Sequence, residues 1–290
     1  MAALSLALGT GAVRAAGPAH IVYAAGDIAM CNGRDARHSG AAATAELIAK
    51  RLAHEPQARV LLLGDNVYGG GTEALFNSCF GPTWGRFKER IHPAPGNHEY
   101  IMPGAQGYFA YFGAAAGPGH YSVTMGNWRL YSLDSNLRGA AHAAQLDWLR
   151  RELARAPSRC TLAFWHHPLY SSGGHGNYGT MRGVWELLHQ HGAEIVLSGH
   201  DHDYERFAPQ DANGKLDKAG GIRQFVAGIG GAYRTPFLLP RANSERRDAS
   251  RTGVLRLSLN DDGYEWELLE ASYDGFPNGP EPDKGKGGCH

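Results

Sequence analysis

Seven side chains carry the chemistry open to this chain: Asp27, Asp65, Asn97, His98, His166, His200 and His202. They are scattered over the sequence, but each follows an apolar run that ends in Gly, Asp, Asn or His. The densest stretch is Leu197-Ser198-Gly199-His200-Asp201-His202, two imidazoles flanking one residue straight after Ile195-Val196-Leu197. Neutral imidazole is the commonest protein ligand for transition metals. A lone His-x-His is also an ordinary surface pair, so the argument rests on five stretches sharing one build.

Two carboxylates and several imidazoles gathered in a dry cleft would be costly without cations, because the carboxylates repel one another and their pKa values rise. Divalent or trivalent metal ions remove that cost and hold the ligands deprotonated. Six or seven oxygen and nitrogen donors exceed a tetrahedral zinc site, and the absence of cysteine from the set argues against structural zinc. One carboxylate bridging two ions roughly 3.5–4 Å apart accounts for the number of ligands.

The elements that must deliver these residues follow from periodicity. His20 to Ala25, Arg59 to Leu63, Thr161 to Trp165 and Ile195 to Leu197 read as buried strands, each ending where a candidate ligand begins. Ala41 to Ala53, Ala143 to Ala156 and Met181 to His191 read as helices with one apolar face. Tyr121 to Thr124 and Trp128 to Leu133 form a hairpin pattern around Gly126-Asn127. Pro93 and Pro95 argue against a regular central strand before Asn97. Tyr100 to Gly119, rich in Gly, Ala and aromatics, reads as a surface loop. After His202 three strand patterns follow without helices between them. Strands alternating with helices, then strands alone, predict an α/β core carrying a second, more antiparallel sheet. In open α/β sheets sites form at the carboxyl ends of strands, so residues distant in sequence converge.

The 290 residues are 43% hydrophobic with a net charge of zero, which gives no bulk electrostatic signal for nucleic-acid binding. Residues 1–17 are small and apolar and read as a leader of the secretory kind lacking the basic n-region, too short for a stable membrane span. This favours a secreted or periplasmic protein. The four cysteines then allow disulfides. Cys31 and Cys79, each following a motif loop, are the first pair to expect, and Cys160 reads as a buried thiol. Residues 276–290, polar and rich in Gly and Pro, read as a flexible tail.

Five ordered motifs carry a resemblance: Gly26-Asp27, Gly64-Asp65-Asn66-Val67-Tyr68, Gly96-Asn97-His98-Glu99, His166-His167-Pro168-Leu169-Tyr170 and Gly199-His200-Asp201-His202. Together they resemble the calcineurin-like metallophosphoesterases and, within them, the purple acid phosphatases, over Ile21 to about Ala271. The resemblance implies one catalytic domain over residues 18–275, a β-sandwich of two mixed sheets flanked by helices (αββα). It implies Asp27, Asp65, Tyr68 and His202 on a first metal ion, and Asp65, Asn97, His166 and His200 on a second, with Asp65 bridging. It also implies His98 beside the substrate, as transition-state stabiliser or general acid positioned by Glu99 or Asp134, and His175 of Gly173-Gly174-His175-Gly176 beside the ligands. His167 is the alternative to His166; the family pattern His-x-Pro favours His166. Tyr68 implies Fe(III) paired with Fe(II), Zn or Mn. Ala29 departs from the pattern, which usually has Gly there. The implied activity is hydrolysis of small phosphomonoesters by in-line attack of a metal-bound hydroxide. A phosphodiesterase acting on nucleotides or lipid headgroups is the alternative, and a non-catalytic metal- or phosphate-binding protein the third reading. Asp201 reads as a loop-shaping residue, and Arg206 as a partner of a nearby acid rather than of phosphate.

Overall fold

The computed structural model describes residues 17, 19–271 and 281–290; the expected leader, apart from Gly17, lies outside them. Two sheets stack face to face. The first has the order β13-β12-β11-β1-β2-β3, with β1 (His20–Ala25), β2 (Arg59–Leu63), β3 (Ile91–Ala94), β11 (Thr252–Asn260), β12 (Gly263–Ala271) and β13 (Lys284–Gly288). The second has the order β10-β8-β9-β7-β6-β5-β4, with β4 (Tyr121–Met125), β5 (Trp128–Ser132), β6 (Cys160–Phe164), β7 (Ile195–Ser198), β8 (Tyr204–Phe207), β9 (Arg223–Ala227) and β10 (Ser244–Asp248). β1, β2 and β3 are parallel, as are β5, β6, β7 and β9; the remaining pairings are antiparallel.

Side chains alternate between the faces of a strand, and that alternation builds the layers. Val22, Ala24, Leu61 and Leu63 meet Leu162, Phe164, Ile195, Leu197, Phe225 and Ala227 between the sheets. The residues in between, Tyr23, Ala25, Val60 and Leu62, face outward onto Ala41, Ala45 and Ile48 of α1 (Gly40–His54). On the far side Ala163, Val196 and Val226 pack beneath α4 (Gly139–Arg155) and α5 (Arg182–Gln190), against Leu149, Leu153, Val184 and Leu188. The expected αββα arrangement of mixed sheets is therefore what the chain forms.

Three expectations are corrected, and the one on the proline-bearing segment holds. The stretch from Tyr100 to Gly119 is not all loop: α3 (Gln106–Phe112) follows the short α2 (Glu73–Leu75) in chain order and buries Tyr108 and Phe112 in an aromatic cluster with Phe76 and Phe80. The proline-bearing segment agrees with expectation: β3 is no central strand but lies at a sheet edge, where Pro93 leaves no interior ladder short of a donor. Part of the expected flexible tail is also a strand. β13 pairs with β12, and Asp283 just before it accepts hydrogen bonds from Tyr204 Oη (2.8 Å), Arg206 Nε (2.7 Å) and Trp266 Nε1 (3.0 Å). Arg206 is thus held by acids, as expected. Finally, Cys160 is no free thiol. It is bonded to Cys289, beside the expected Cys31–Cys79 bond.

Candidate metal centre

The carboxyl ends of β1, β2, β3, β6 and β7 open onto one place, and the candidate ligands stand in the loops that follow them. Asp27 (φ 59°), Asp65 (φ 48°) and His200 (φ 72°) occupy the left-handed region, which side chains with a Cβ adopt at a cost. Such strain concentrates at functional sites. Gly64, itself at φ 86°, packs so closely that a Cβ there would fall 2.6 Å from the His166 ring.

Asp27, Asp65, His166 and His202 are buried. Ligand atoms of Asp27, Asp65 and His166 all lie within 4.8 Å of one another, and two groups of donors meet at them. In the first, Tyr68 Oη donates to Asp27 Oδ1 (2.8 Å) and faces His202 Nε2 (2.8 Å), and His202 Nε2 lies 3.3 Å from Asp27 Oδ1. In the second, His166 Nε2 lies 3.3 Å from Asp65 Oδ2, 3.0 Å from Asn97 Oδ1 and 3.2 Å from His200 Nδ1. His166 Nδ1 donates to the Leu63 carbonyl (2.8 Å) and His202 Nδ1 to the Tyr233 carbonyl (2.6 Å), so both rings aim Nε2 inward.

That geometry tests the fit of a cation. Asp65, Asn97 and His200 crowd one nitrogen of His166 whose partner nitrogen is already engaged, and a single proton at Nε2 serves only one of them. A cation among them serves all. The donor set of carboxylates, an amide, a phenol and imidazoles suits iron, zinc or manganese. His167, the alternative ligand, turns away: its Nδ1 bonds Ser135 Oγ (2.8 Å) and its ring stacks on Tyr178.

The electrostatics agree. Against the desolvation of burial, the Asp65 charge raises the His166 imidazole to about 9, and Asp27 raises that of His202. Burial, and after it the charge of His166, lowers His200 to about 2. Burial and the charges of Asp27 and Asp65 push the Tyr68 phenol well above its ordinary range.

His98 sits at the rim. Its amide donates to Asp65 Oδ1 (2.8 Å), and its ring lies 4.3 Å from that of Tyr68 and only part-exposed. Neither expected positioning partner reaches its side chain. Asp134 is engaged by Tyr100 and Asn136, and Glu99 points back into the protein. Buried Glu99 instead accepts the amides of Asp65 (3.0 Å), Asn66 (2.9 Å), Val67 (3.2 Å) and Gly96 (2.7 Å). Burial and the Asp65 charge push its carboxyl up to about 8. This loop anchor was visible in sequence only as an acid beside Asn97-His98. Asp201 shapes the glycine-rich loop as expected, accepting Ser171 Oγ and the amides of His175 (2.7 Å) and Gly176 (3.2 Å). The His175 ring comes to 4.4 Å from that of His200. Ala29 fits without glycine's freedom, because it pairs in a parallel bridge with Val67. Tyr233, whose ring lies 4.6 Å from that of His202, gave no sequence signal.

Likeness to known proteins gives the family. Residues 21–204 match the model of the calcineurin-like phosphoesterase family. Purple acid phosphatase 15 of Arabidopsis thaliana is 30% identical over 220 residues, which are 62% of this chain and 41% of that protein. The cyclic AMP phosphodiesterase CpdA of Escherichia coli is 38% identical over 77 residues, covering 25% of this chain and 27% of CpdA. Among solved structures, the purple acid phosphatase PPD1 of yellow lupin superimposes with a TM-score of 0.68 at 20% identity, over 90% of this chain and 53% of that one. The chain spans about two-fifths of the Arabidopsis protein's length and about half of the lupin protein's. With its fold, its ordered loops and a family match over more than half its length, the chain belongs to the calcineurin-like phosphoesterases, a family of metal-dependent phosphoric ester hydrolases, and within it is similar to the purple acid phosphatases.

Proposed function

We propose that the chain hydrolyses phosphomonoesters at a dinuclear metal centre. The observation that carries this reading is the convergence of Asp65, Asn97 and His200 on His166 Nε2, with Asp27, Tyr68 and His202 grouped beside it. Asp27, Tyr68 and His202 would hold one ion, Asn97, His166 and His200 the other, and Asp65 both. When bound, the ions supply Lewis-acid polarisation of the phosphoryl oxygens and acidify a water.

The chain's own residues do the remainder. The fixed Nδ1–H donors of His166 and His202 keep Nε2 available as a ligand atom. His98, held over Tyr68 by the hydrogen bond from its backbone amide to the Asp65 carboxylate, offers a proton donor to the leaving oxygen. His175, whose ring lies 4.4 Å from that of His200, would hydrogen-bond a bound phosphoryl group or buttress His200. Tyr68 supports Fe(III) with Fe(II), Zn or Mn as the pair, since phenolate is a hard ligand. Two disulfides support an oxidising compartment, hence a secreted or periplasmic location. Among the described residues no helix is long and apolar enough to cross a membrane.

The local likeness to CpdA supports a second reading, a phosphodiesterase at the same centre. One assay separates the two. Protein stripped with chelator and refilled with iron, manganese or zinc is given paired aryl mono- and diesters, with a visible spectrum taken in the same cuvette. Faster monoester turnover with a violet tyrosinate band after iron loading supports the first reading. Faster diester turnover without colour supports the second, and no turnover with any metal leaves a binding protein.

A further inference from the structure

A cavity of about 470 Å³ is lined in part by Tyr233, whose ring lies 4.6 Å from that of the candidate ligand His202. Its floor, Gly231 to Arg234, is tied to the ligands. The Ala232 amide donates to the Asp27 carbonyl (2.9 Å), and the Tyr233 carbonyl accepts His202 Nδ1 (2.6 Å). Its opposite wall is the loop carrying Cys31, Arg34, Asp35 and His38, which the Cys31–Cys79 bond fastens to the helical turn Phe76–Phe80.

Tyr233 belongs to both places. Its ring touches that of His202, while 58% of the residue stays exposed. The lining carries the guanidinium groups of Arg34 and Arg234 and one carboxylate, Asp35, which Arg37 already engages (2.6 Å). The exposed Arg34 guanidinium makes no hydrogen bond or ion pair among the described residues. A guanidinium is weakly hydrated and presents a fork of donors matched to phosphate or carboxylate.

We propose that this cavity receives the leaving portion of the substrate and selects esters whose leaving portion carries its own anionic group. Arg34 binds that group, and the Tyr233 ring lies along the atoms between it and the scissile bond. This rests on the phosphatase reading above. The reaction remains hydrolysis: the oxygen of water bonds to phosphorus, the ester P–O bond breaks, and the leaving oxygen takes a proton.

The test compares kcat/KM for fructose 1,6-bisphosphate, 3-phosphoglycerate and p-nitrophenyl phosphate in the wild type, Arg34→Gln and Arg34→Lys. Arg34→Gln is expected to lower the ratio of either anionic ester to p-nitrophenyl phosphate about tenfold or more, through KM rather than kcat, with Arg34→Lys recovering part of it. A fall for the bisphosphate alone identifies a phosphoryl group as the occupant, and for the glycerate alone a carboxylate. Unchanged ratios for both overturn the proposal. If none of the three esters turns over, the phosphatase reading has failed, and calorimetric titration of the metal-free protein with inorganic pyrophosphate decides instead. Binding that weakens about tenfold in Arg34→Gln upholds the cationic subsite; equal affinity, or none in the wild type, overturns it.

Discussion

The carboxylate of Glu99 accepts the backbone amide of Asp65 at 3.0 Å, and so holds the shared candidate ligand in a left-handed conformation. Three further amides converge on the same carboxylate. Glu99 therefore builds the loop after β2 without touching the reacting groups. Replacing it by glutamine turns an N–H₂ group toward backbone donors. Glu99→Gln is expected to destabilise the protein by roughly 2 kcal/mol or more, since buried donors lose their acceptor. It is also expected to weaken metal uptake about tenfold or more, as outer-shell losses do. Chemical denaturation and metal analysis of the purified variant check both, and an unchanged midpoint would deny Glu99 this role.

Gly96 makes the same point sterically. A Cβ there would overlap the carboxylate and amide of Asp65. Gly96→Ala should displace Asp65, costing metal content while far-ultraviolet circular dichroism stays native. Full metal loading of that variant would show that Asp65 has more room than the packing allows.

Asp65→Asn removes the charge of the proposed bridging ligand. Activity is expected to fall at least about 100-fold, beyond the usual effect of an outer-shell residue. Metal content measured on the same sample should fall below that of the wild type. Retention of both would sink the two-ion reading.

The Cys160–Cys289 bond spans 129 residues and fastens β13 to the opposite sheet. Cross-links that close long loops stabilise most, and about 2–4 kcal/mol is the usual scale. A Cys160→Ser/Cys289→Ser variant should melt several degrees lower, and hydrogen exchange should accelerate first at Lys284–Gly288. Exchange rates there matching the wild type would mean that Asp283 and the β12 ladder suffice.

Near that bond lies Glu194, which accepts the Thr161 amide (2.6 Å). Burial pushes its carboxyl up to about 7, against the pull of the Thr161 and His290 amides. The folded state then keeps a proton that the unfolded chain releases near 4.5. The contribution is present below pH 4.5 and is lost as pH rises through 7. Stability measured from pH 4.5 to 7.5 should carry this declining component, and Glu194→Gln should flatten it. An identical slope in the variant would assign the component elsewhere.

Sequence alone determined the strand and helix alternation and the order of the ligand-bearing loops, because both depend on local patterns. Continuous apolar runs mark β1, β2, β6 and β7, and a polar candidate ligand, preceded by Gly after β1, β2 and β7, marks where each strand leaves the sheet. The choice of His166 over His167 came from a family pattern rather than from periodicity, and only the folded structure shows which ring is aimed at Asp65. The helix after Tyr100 was hidden because its apolar residues are mostly aromatic and its turn short. β13 was hidden because Lys-Gly-Lys-Gly-Gly has almost no apolar signal. Its place is set by the β12 edge, by Asp283 beneath Tyr204, Arg206 and Trp266, and by Cys289. Cysteine pairing, the anchoring of four amides by Glu99 and the cavity beside Tyr233 are likewise properties of tertiary proximity. They join residues tens to hundreds of positions apart, and no local periodicity encodes such a distance.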